Sequence, residues 1–524
     1  MNAFINTWPA AAAFPLLTTL TLVPLVASIA VINSPSSAIA LRFGFAGSAL
    51  AVLLSLYLLM VFDTGNPGIH LVEQVHFAGF SYAVGVDGTN ILFIPLTTVL
   101  TFLALVYTLI TRHAADKLFI ACLLGYETIL IGAFAALNIM QFWLWSLLEL
   151  IPVVLLTVNA GTGQNRRWVV TLLLQYWGSG LVMTLTGFLF LAFGLVGSDH
   201  DLTFDWLTLK ENNAYLHDEI LIFILLFFGF SIRMPLFPFH GWLPLLAEHG
   251  TVASAAIFLV GLKLGIYALI RFILPLLPGV AEDWAGFVLT LGLISIFYGA
   301  LLALMQINIR RLLAFAVISH TGMLVIGIFS FNEYGLEGSL LLSIAYGLAT
   351  AGMLFSVGLI YERTRTAFIP RLGGLFDTNS TIALLFLISA LSTMVMPGTP
   401  GFDAAHLLIE GIIEEDGWLV AIAILLGNVL AAAFLLRAFQ QVFIATPKRH
   451  QQPYSSDHHP VSKERMITLV ICSLLIGTGF YTTPWLNFID QDATAIEKDY
   501  PIHGSQHPDA VTEPLEDPQG TQHE

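Results

Sequence analysis

Charge is what this sequence has least of. Among 524 residues there are 20 basic and 35 acidic side chains, 10% in all, where a soluble domain carries about 25%. Basic residues are few and scattered, so no nucleic-acid partner is expected. There are only two cysteines, Cys122 and Cys472, each inside an apolar run, which argues against a disulfide framework and against a cysteine-held metal or iron–sulfur centre. No phosphate-binding glycine loop and no nucleophile motif occurs, so no cofactor is expected. The N-terminus has no basic region followed by a small-residue cleavage site, and the first apolar run reads as a retained helix rather than a signal peptide.

What is abundant is apolar. Hydrophobic residues make up 57% of the chain and aromatics 12%, with a mean hydropathy of +0.82. A membrane-spanning helix needs about 20 predominantly apolar residues, and the sequence offers about fourteen such runs. Their centres fall near Leu22, Val52, Leu100, Ile129, Ile151, Thr184, Leu226, Leu262, Leu293, Val317, Ala345, Leu391, Leu425 and Leu474. The fold class is therefore all-α and polytopic, in a lipid bilayer. The fourth and fifth runs nearly merge around Asn138. Two runs are interrupted: the seventh by Pro235 and Pro238 after Arg233, the twelfth by Met396 to Gly401. Freed backbone groups at such breaks are tolerated where protein or a water-filled cavity satisfies them, so each break is either a packing kink or part of an ion path.

Loop charges alternate. Arg112 and Lys117, Arg166 and Arg167, Arg310 and Arg311, then Arg363, Arg365 and Arg371, and last Lys448, Arg449, Lys463 and Arg465 follow odd-numbered runs. Loops after even-numbered runs are acidic, with Lys210 their one basic residue outside the tail. Cationic loops stay cytoplasmic, which predicts both termini on the non-cytoplasmic side of the membrane. Much of the net charge of −15 sits in a few loops and in residues 487–524, read as an acidic, disordered tail. Neither His458 and His459 beside Asp457, nor His503 and His507, has a metal-specific spacing, and no metal site is expected. Asp199-His200-Asp201 reads as a solvated loop.

Ionisable side chains at membrane depth each cost about 2.5–3.5 kcal/mol on insertion scales. The candidates are Glu127, Glu149, Arg233, Lys263 and Arg271, with His240 and His320 as titratable neutrals. Lys263 is central in its run: a desolvated lysine can exchange protons, or it can hold a permanent ion pair with a buried Glu. Glu149 lies mid-span. His320 can relay protons through either ring nitrogen or simply be hydrogen-bonded. Arg271, near the end of its run, can snorkel or pair. Together a Glu, a Lys and a His on different helices make a polar axis suited to protons, and sodium would be served equally well.

Several segments make the resemblance specific. Met234 to Pro244, Gly261 to Phe272, and Arg310 to Phe315 leading to Ser319-His320-Thr321-Gly322 closely resemble signatures of the antiporter-like subunits of respiratory complex I, NADH:quinone oxidoreductase. Tyr361 to Thr364 followed by Leu372 to Leu375, Met396 to Thr399, and Glu149 to Pro152 resemble the M-type subunit of that family. The resemblance runs from about residue 80 to about residue 485. It implies fourteen transmembrane helices with inverted five-helix repeats formed by spans 4–8 and 9–13. The expected organisation is residues 1–111 for the first three spans, 112–274 and 275–445 for the repeats, 446–486 for a loop and the last span, and 487–524 for the tail.

The resemblance also implies a chain of buried charges that moves protons along the membrane midplane, with redox chemistry left to other subunits. Lys263 and His320 match the family's span-eight Lys and span-ten His. Elsewhere the chain departs. The span-seven Lys position reads Arg233, which cannot hand on a proton. The span-five Glu position, aligned on Pro152, falls at Leu147. Glu149 is two residues away, about 200° around a regular helix, and is expected to face elsewhere, so either Glu127 or Glu149 becomes the candidate partner of Arg233. A family His reads Tyr346. The terminal acid position reads Ala405, leaving Asp403, His406 and Glu410 as substitutes. The resemblance thus implies a proton-translocating subunit among other membrane subunits of a complex-I-like assembly. The alternative is a derived paralogue serving a cation/proton antiporter, a membrane hydrogenase, or inorganic-carbon accumulation with a cytoplasmic zinc protein resembling carbonic anhydrase.

Overall fold

The computed structural model describes residues 14–77, 80–110, 116–194, 202–213, 218–446 and 461–498. Arg112, Asp199-His200-Asp201, Lys448 and Arg449, the His458–His459 pair and residues 499–524 lie outside them.

The chain opens with α1 (Leu16–Asn33) and α2 (Ser37–Val61), followed by a hairpin of β1 (His70–Phe77) and β2 (Phe80–Val86). Then come α3 (Phe93–Thr108), α4 (Lys117–Ala135), α5 (Ile139–Leu148), α6 (Leu150–Ala160), α7 (Arg166–Gly194) and the short α8 (Trp206–Glu211). Next are α9 (Glu219–Arg233), α10 (Trp242–His249) and α11 (Val252–Ala268), the last continued by a π-turn over Leu269–Ile273. The second half comprises α12 (Pro278–Asp283), α13 (Ala285–Met305), α14 (Ile309–Ile328), α15 (Glu333–Thr364), α16 (Leu375–Thr378), α17 (Ser380–Thr393) and α18 (Pro400–Glu415). It ends with α19 (Trp418–Phe439), a π-turn over Gln440–Ile444, α20 (Val461–Phe480), α21 (Thr483–Leu486) and α22 (Asp490–Lys498).

All fourteen expected centres fall in or between these helices as the sequence places them. Among the described residues, nine helical stretches are both long and apolar enough to cross a membrane. Two of them, α14 and α15, are almost wholly buried. Around them α2 and α19 expose Leu53, Met60, Leu419, Leu426 and Val429, the apolar exterior that lipid requires. The architecture is thus an all-α polytopic membrane fold whose innermost helices are shielded by lipid-facing ones.

The local causes are plain. Asn138 separates the merged fourth and fifth runs by capping α5, its carboxamide oxygen accepting from the Met140 and Gln141 amides at 2.9 and 3.1 Å. Pro152 has no N–H for the Leu148 carbonyl, and α5 stops at that residue. In the seventh run α9 ends at Arg233 and α10 starts only at Trp242; in the twelfth α17 ends at Thr393 and α18 starts at Pro400. Gly398 sits between these last two at φ +84°, in the left-handed region that glycine enters without strain.

Two expectations need correction. The hairpin over residues 70–86 is extra to a purely helical reading; it is anchored by Glu73, which accepts from the Leu17 and Thr18 amides at 2.7 and 3.0 Å. The tail is not disordered from residue 487: α22 packs on α15, with Ala493 and Asp492 buried. Asp492 caps the loops beside the hairpin, accepting from Gly68 N at 2.7 Å and Gly88 N at 2.5 Å. Composition alone misses this because the helix is stabilised by its docking rather than by its own sequence.

Candidate functional site

Three buried clusters follow one another through the helix bundle. In the first, the Arg233 guanidinium pairs with the fully buried Glu149 carboxylate through Nη2 and Oε2. The other carboxylate oxygen accepts from the Tyr126 hydroxyl at 2.7 Å. Arg233 Nε donates to the Gly261 carbonyl at 3.4 Å, and the guanidinium lies 5.5 Å from the Trp177 ring centroid. Gly261 allows this closeness, since a Cβ there would lie 2.5 Å from Glu149 Oε1. Every polar atom of the Glu149 head is thus engaged, as a buried carboxylate requires.

This corrects the expected geometry of the fifth run. Leu147, the position aligned with the family Glu, is 38% exposed, while Glu149 is 0% exposed and is the residue that meets Arg233. The helix is interrupted at Glu149, ahead of Pro152, so an alignment anchored on the proline does not fix which side chain points inward. Glu127 is not Arg233's partner. It is fully buried on α4, and neither carboxyl oxygen has a hydrogen-bond partner among the described residues.

The second cluster centres on Lys263, buried on α11 two residues beyond Gly261. It forms no ion pair among the described residues, so the permanent Lys–Glu pair is not formed. Its charge acts on His320 of α14. The His320 ring stacks on Tyr346 of α15, with centroids 4.3 Å apart and planes at 19°, and both ring nitrogens are buried without a hydrogen-bond partner. A cavity of about 10 Å³ lined by His320, Ser319, Tyr346 and Asn428 adjoins it, roughly the space of a single water.

The third cluster closes the far end of α11. Arg271 does not snorkel. It pairs with Asp87 at 2.6 Å, donates to the Tyr267 hydroxyl at 2.9 Å, and lies 4.8 Å from the Trp206 centroid. Tyr267 and Arg271 follow Lys263 at four-residue steps and share its helix face. The Asp87–Arg271 pair and Asp492 line a cavity of about 270 Å³. Burial and the neighbouring Asp87 push the Asp492 carboxyl up to about 6.

The remaining candidates stand apart. His240 lies in the break between α9 and α10, buried between Phe237 (5.8 Å) and Tyr298 (4.9 Å), with Nδ1 unpartnered. Ala405 is buried, but the expected substitutes for the terminal acid do not fill its place. Asp403 accepts from Thr482 Oγ1 at 2.5 Å. His406 and Glu410 are 3.8 Å apart on side chains 71% and 47% exposed, because i, i+4 spacing puts both on the outer face of α18. Tyr126, Gly261, Asp87 and Trp177 belong to the clusters and were missed in the sequence. Only Gly261 carried a signal, its place two residues before Lys263.

Comparisons with known proteins show the family and the fold. Residues 136–431 match the family described as NADH:quinone oxidoreductase/Mrp antiporter, transmembrane. NADH-quinone oxidoreductase subunit M of Rickettsia bellii is 32% identical over 404 residues, covering 76% of this chain and 80% of that protein. Chain 4 of the chloroplast NAD(P)H-quinone oxidoreductase of Physcomitrium patens is 32% identical over 486 residues, covering 89% of this chain and 95% of the relative. A chain of the respiratory complex I of Thermus thermophilus superposes with a TM-score of 0.82 at 27% identity, over 92% of this chain and 99% of that one. A chain of the Mrp complex from a Dietzia species gives a TM-score of 0.82 at 18% identity, over 92% and 98%, and shares the fold. With subunit M relatives matched over most of both chains and the family region containing Glu149, Arg233, Lys263 and His320, this chain belongs to the transmembrane family of NADH:quinone oxidoreductase and Mrp antiporter subunits.

Proposed function

We propose that this chain is a proton-translocating membrane subunit of a complex-I-like assembly, with Lys263 as its protonatable centre. The observation that carries the reading is a lysine buried mid-helix without an ion-pair partner among the described residues, beside a histidine whose two nitrogens are equally unpartnered. Nothing structural is gained from such a pair, and an unpaired buried cation is costly.

The residues divide the work. Arg233 keeps its proton and acts as a fixed charge held by Glu149 and Tyr126. Protonation of Glu149 leaves Arg233 uncompensated close to the start of the Lys263 turn, and the repulsion favours transfer of the lysine proton toward His320. The small cavity at His320 has room for the water that would carry it onward. Glu127, His240, Asp403, His406 and Glu410 are candidates for access routes at the flanks, with His406 and Glu410 on the exposed face of α18.

The fourteen-span plan with both termini on the non-cytoplasmic side is part of the same reading, as are repeats over 112–274 and 275–445. An internal correspondence supports the repeats. Asn138 caps α5 and bridges to Asp205; Asn308 caps α14 and bridges to Phe368. The backbone clasps match, Ile139 N to Phe204 O at 3.0 Å and Ile309 N to Ala367 O at 3.0 Å. Each unit also has its fourth span broken and its fifth continued by a π-turn.

The test is proton transport by the purified assembly in sealed liposomes, comparing wild type with K263M and K263R. Both variants should lose at least ten-fold of the transport rate while still assembling, since neither methionine nor arginine releases a proton. Full transport by K263M would overturn the reading. Mass spectrometry of the chain's partners, purified in mild detergent, separates the assemblies. Quinone-reductase subunits support the proposal, whereas a lone soluble zinc protein or antiporter-type chains support the derived alternative, for which Arg233 and the empty acid position at Ala405 are the sequence grounds.

A further inference from the structure

We infer that Glu333, Glu337 and Asp490 form a site for a hard divalent cation, calcium, that fastens α22 to the end of α15. One carboxylate oxygen from each lies within 4.8 Å of the other two. Calcium–oxygen bonds of about 2.3–2.6 Å allow ligands on one ion to stand up to about 5 Å apart, which accommodates this spacing, and calcium takes irregular carboxylate sets where magnesium demands a near-ideal octahedron. Glu333 and Glu337 are one helical turn apart on the same face of α15. Asp490 arrives from the first turn of α22. Its position is fixed by Thr494, whose hydroxyl contacts both Glu333 Oε1 at 2.7 Å and the Asp490 carbonyl at 3.0 Å.

Proximity of acids alone would not make a site. The second observation is Glu337 itself: it is 6% exposed, and its Oε1 is buried without a hydrogen-bond donor. A buried carboxylate oxygen needs a donor or a cation. No Lys or Arg pairs with any of the three among the described residues, and Glu497 adds further negative potential at Glu333. A bound cation supplies the missing charge, with water completing its shell on the half-open side. Few protein ligands and an open face place the affinity in the weak class, on the order of 10⁻⁴–10⁻³ M. Occupancy would stiffen the contact between α22 and α15, the helix that also carries Tyr346 against His320. This inference does not depend on the proton-transport reading.

The experiment uses the full-length chain in detergent, stripped with EDTA and desalted. Calcium uptake is followed by titration calorimetry and the thermal midpoint is recorded with CaCl2, MgCl2 or EDTA. One saturable calcium per chain and a midpoint raised by several degrees are expected, both lost in E337Q and in D490N and both kept in E414Q, which removes a nearby exposed acid. Each Gln or Asn variant relieves repulsion, so it should be at least as stable as wild type in EDTA. Absence of saturable uptake in wild type, or uptake unchanged in E337Q and D490N, overturns the site. Equal stabilisation by magnesium overturns calcium as its ion. Stabilisation by acid in EDTA that persists in D492N but is lost in E337Q, with no calcium uptake, assigns the cluster to shared protons instead.

Discussion

At the scale of the residue, the Glu149–Arg233 pair shows how one exchanged side chain alters a role without vacating a position. In the proposed reading Arg233 stands where the resemblance implies a lysine and serves as a fixed charge, and the carboxylate that pairs with it is Glu149, two positions from Leu147. Removing one partner leaves the other buried and uncompensated. E149A should therefore cost about 3–5 kcal/mol, whereas E149A combined with R233M should recover most of that loss; a double-mutant cycle on thermal midpoints in detergent measures the coupling. A cycle with no coupling would mean that the pair is not formed in the protein. G261A tests the same cluster from the backbone side. Its Cβ has no room beside Glu149 and Tyr126, so it should displace the tyrosine and lower transport by about ten-fold, through a misplacement of about 1 Å.

At the scale of the element, breaks and caps place the functional groups. Asn138 and Asn308 each cap the helix that follows, α5 and α14, and the proposed repeats make them counterparts. N138A and N308A should each lose about 1 kcal/mol, the usual value of a cap, and their effects should add, because the clasps share no partner. Unequal losses, with one near zero, would contradict the correspondence. Gly398 at φ +84° makes the second break possible, and G398V should cost about 1–2 kcal/mol while displacing α18 from the Phe480 ring that covers the glycine. Thermal unfolding in detergent reads both.

At the scale of the whole molecule, α22 and the hairpin close the bundle at one end through Asp492. Its carboxyl rises from an ordinary 3.8 to about 6 in the fold, so the docked form binds its proton more tightly than the undocked one. The Asp492 contribution to docking is fully present below about pH 4, is lost as pH rises from about 4 to about 6, and is absent above that. D492N should remove this contribution, leaving any dependence set by Glu333, Glu337 and Asp490, and raise the midpoint at pH 8 relative to wild type. Hydrogen exchange at residues 490–498, measured between pH 4 and 8, gives the local readout, and an unchanged pH profile in D492N would refute the assignment. Legibility at this scale was partial. Apolar runs, alternating loop charge and both broken spans could be read directly, and so could Lys263 and His320, because isolated charges in apolar runs stand out. The docked α22 could not be read from its acidic composition.

What the sequence by itself determined was the class of solvent and the depth of each group. Hydropathy fixes which segments lie in lipid, and a lysine at the centre of an apolar run marks an internal polar axis wherever the helices pack. Only the tertiary structure decided which charges meet. Glu149 rather than Glu127 faces Arg233, Arg271 is locked by Asp87 from a loop 184 residues away, and His406 and Glu410 point outward where an inner acid was expected. Depth is a one-dimensional property of the chain, whereas pairing depends on helix rotation and on contacts between distant segments, and at Pro152 a single missing N–H is enough to unsettle the rotation.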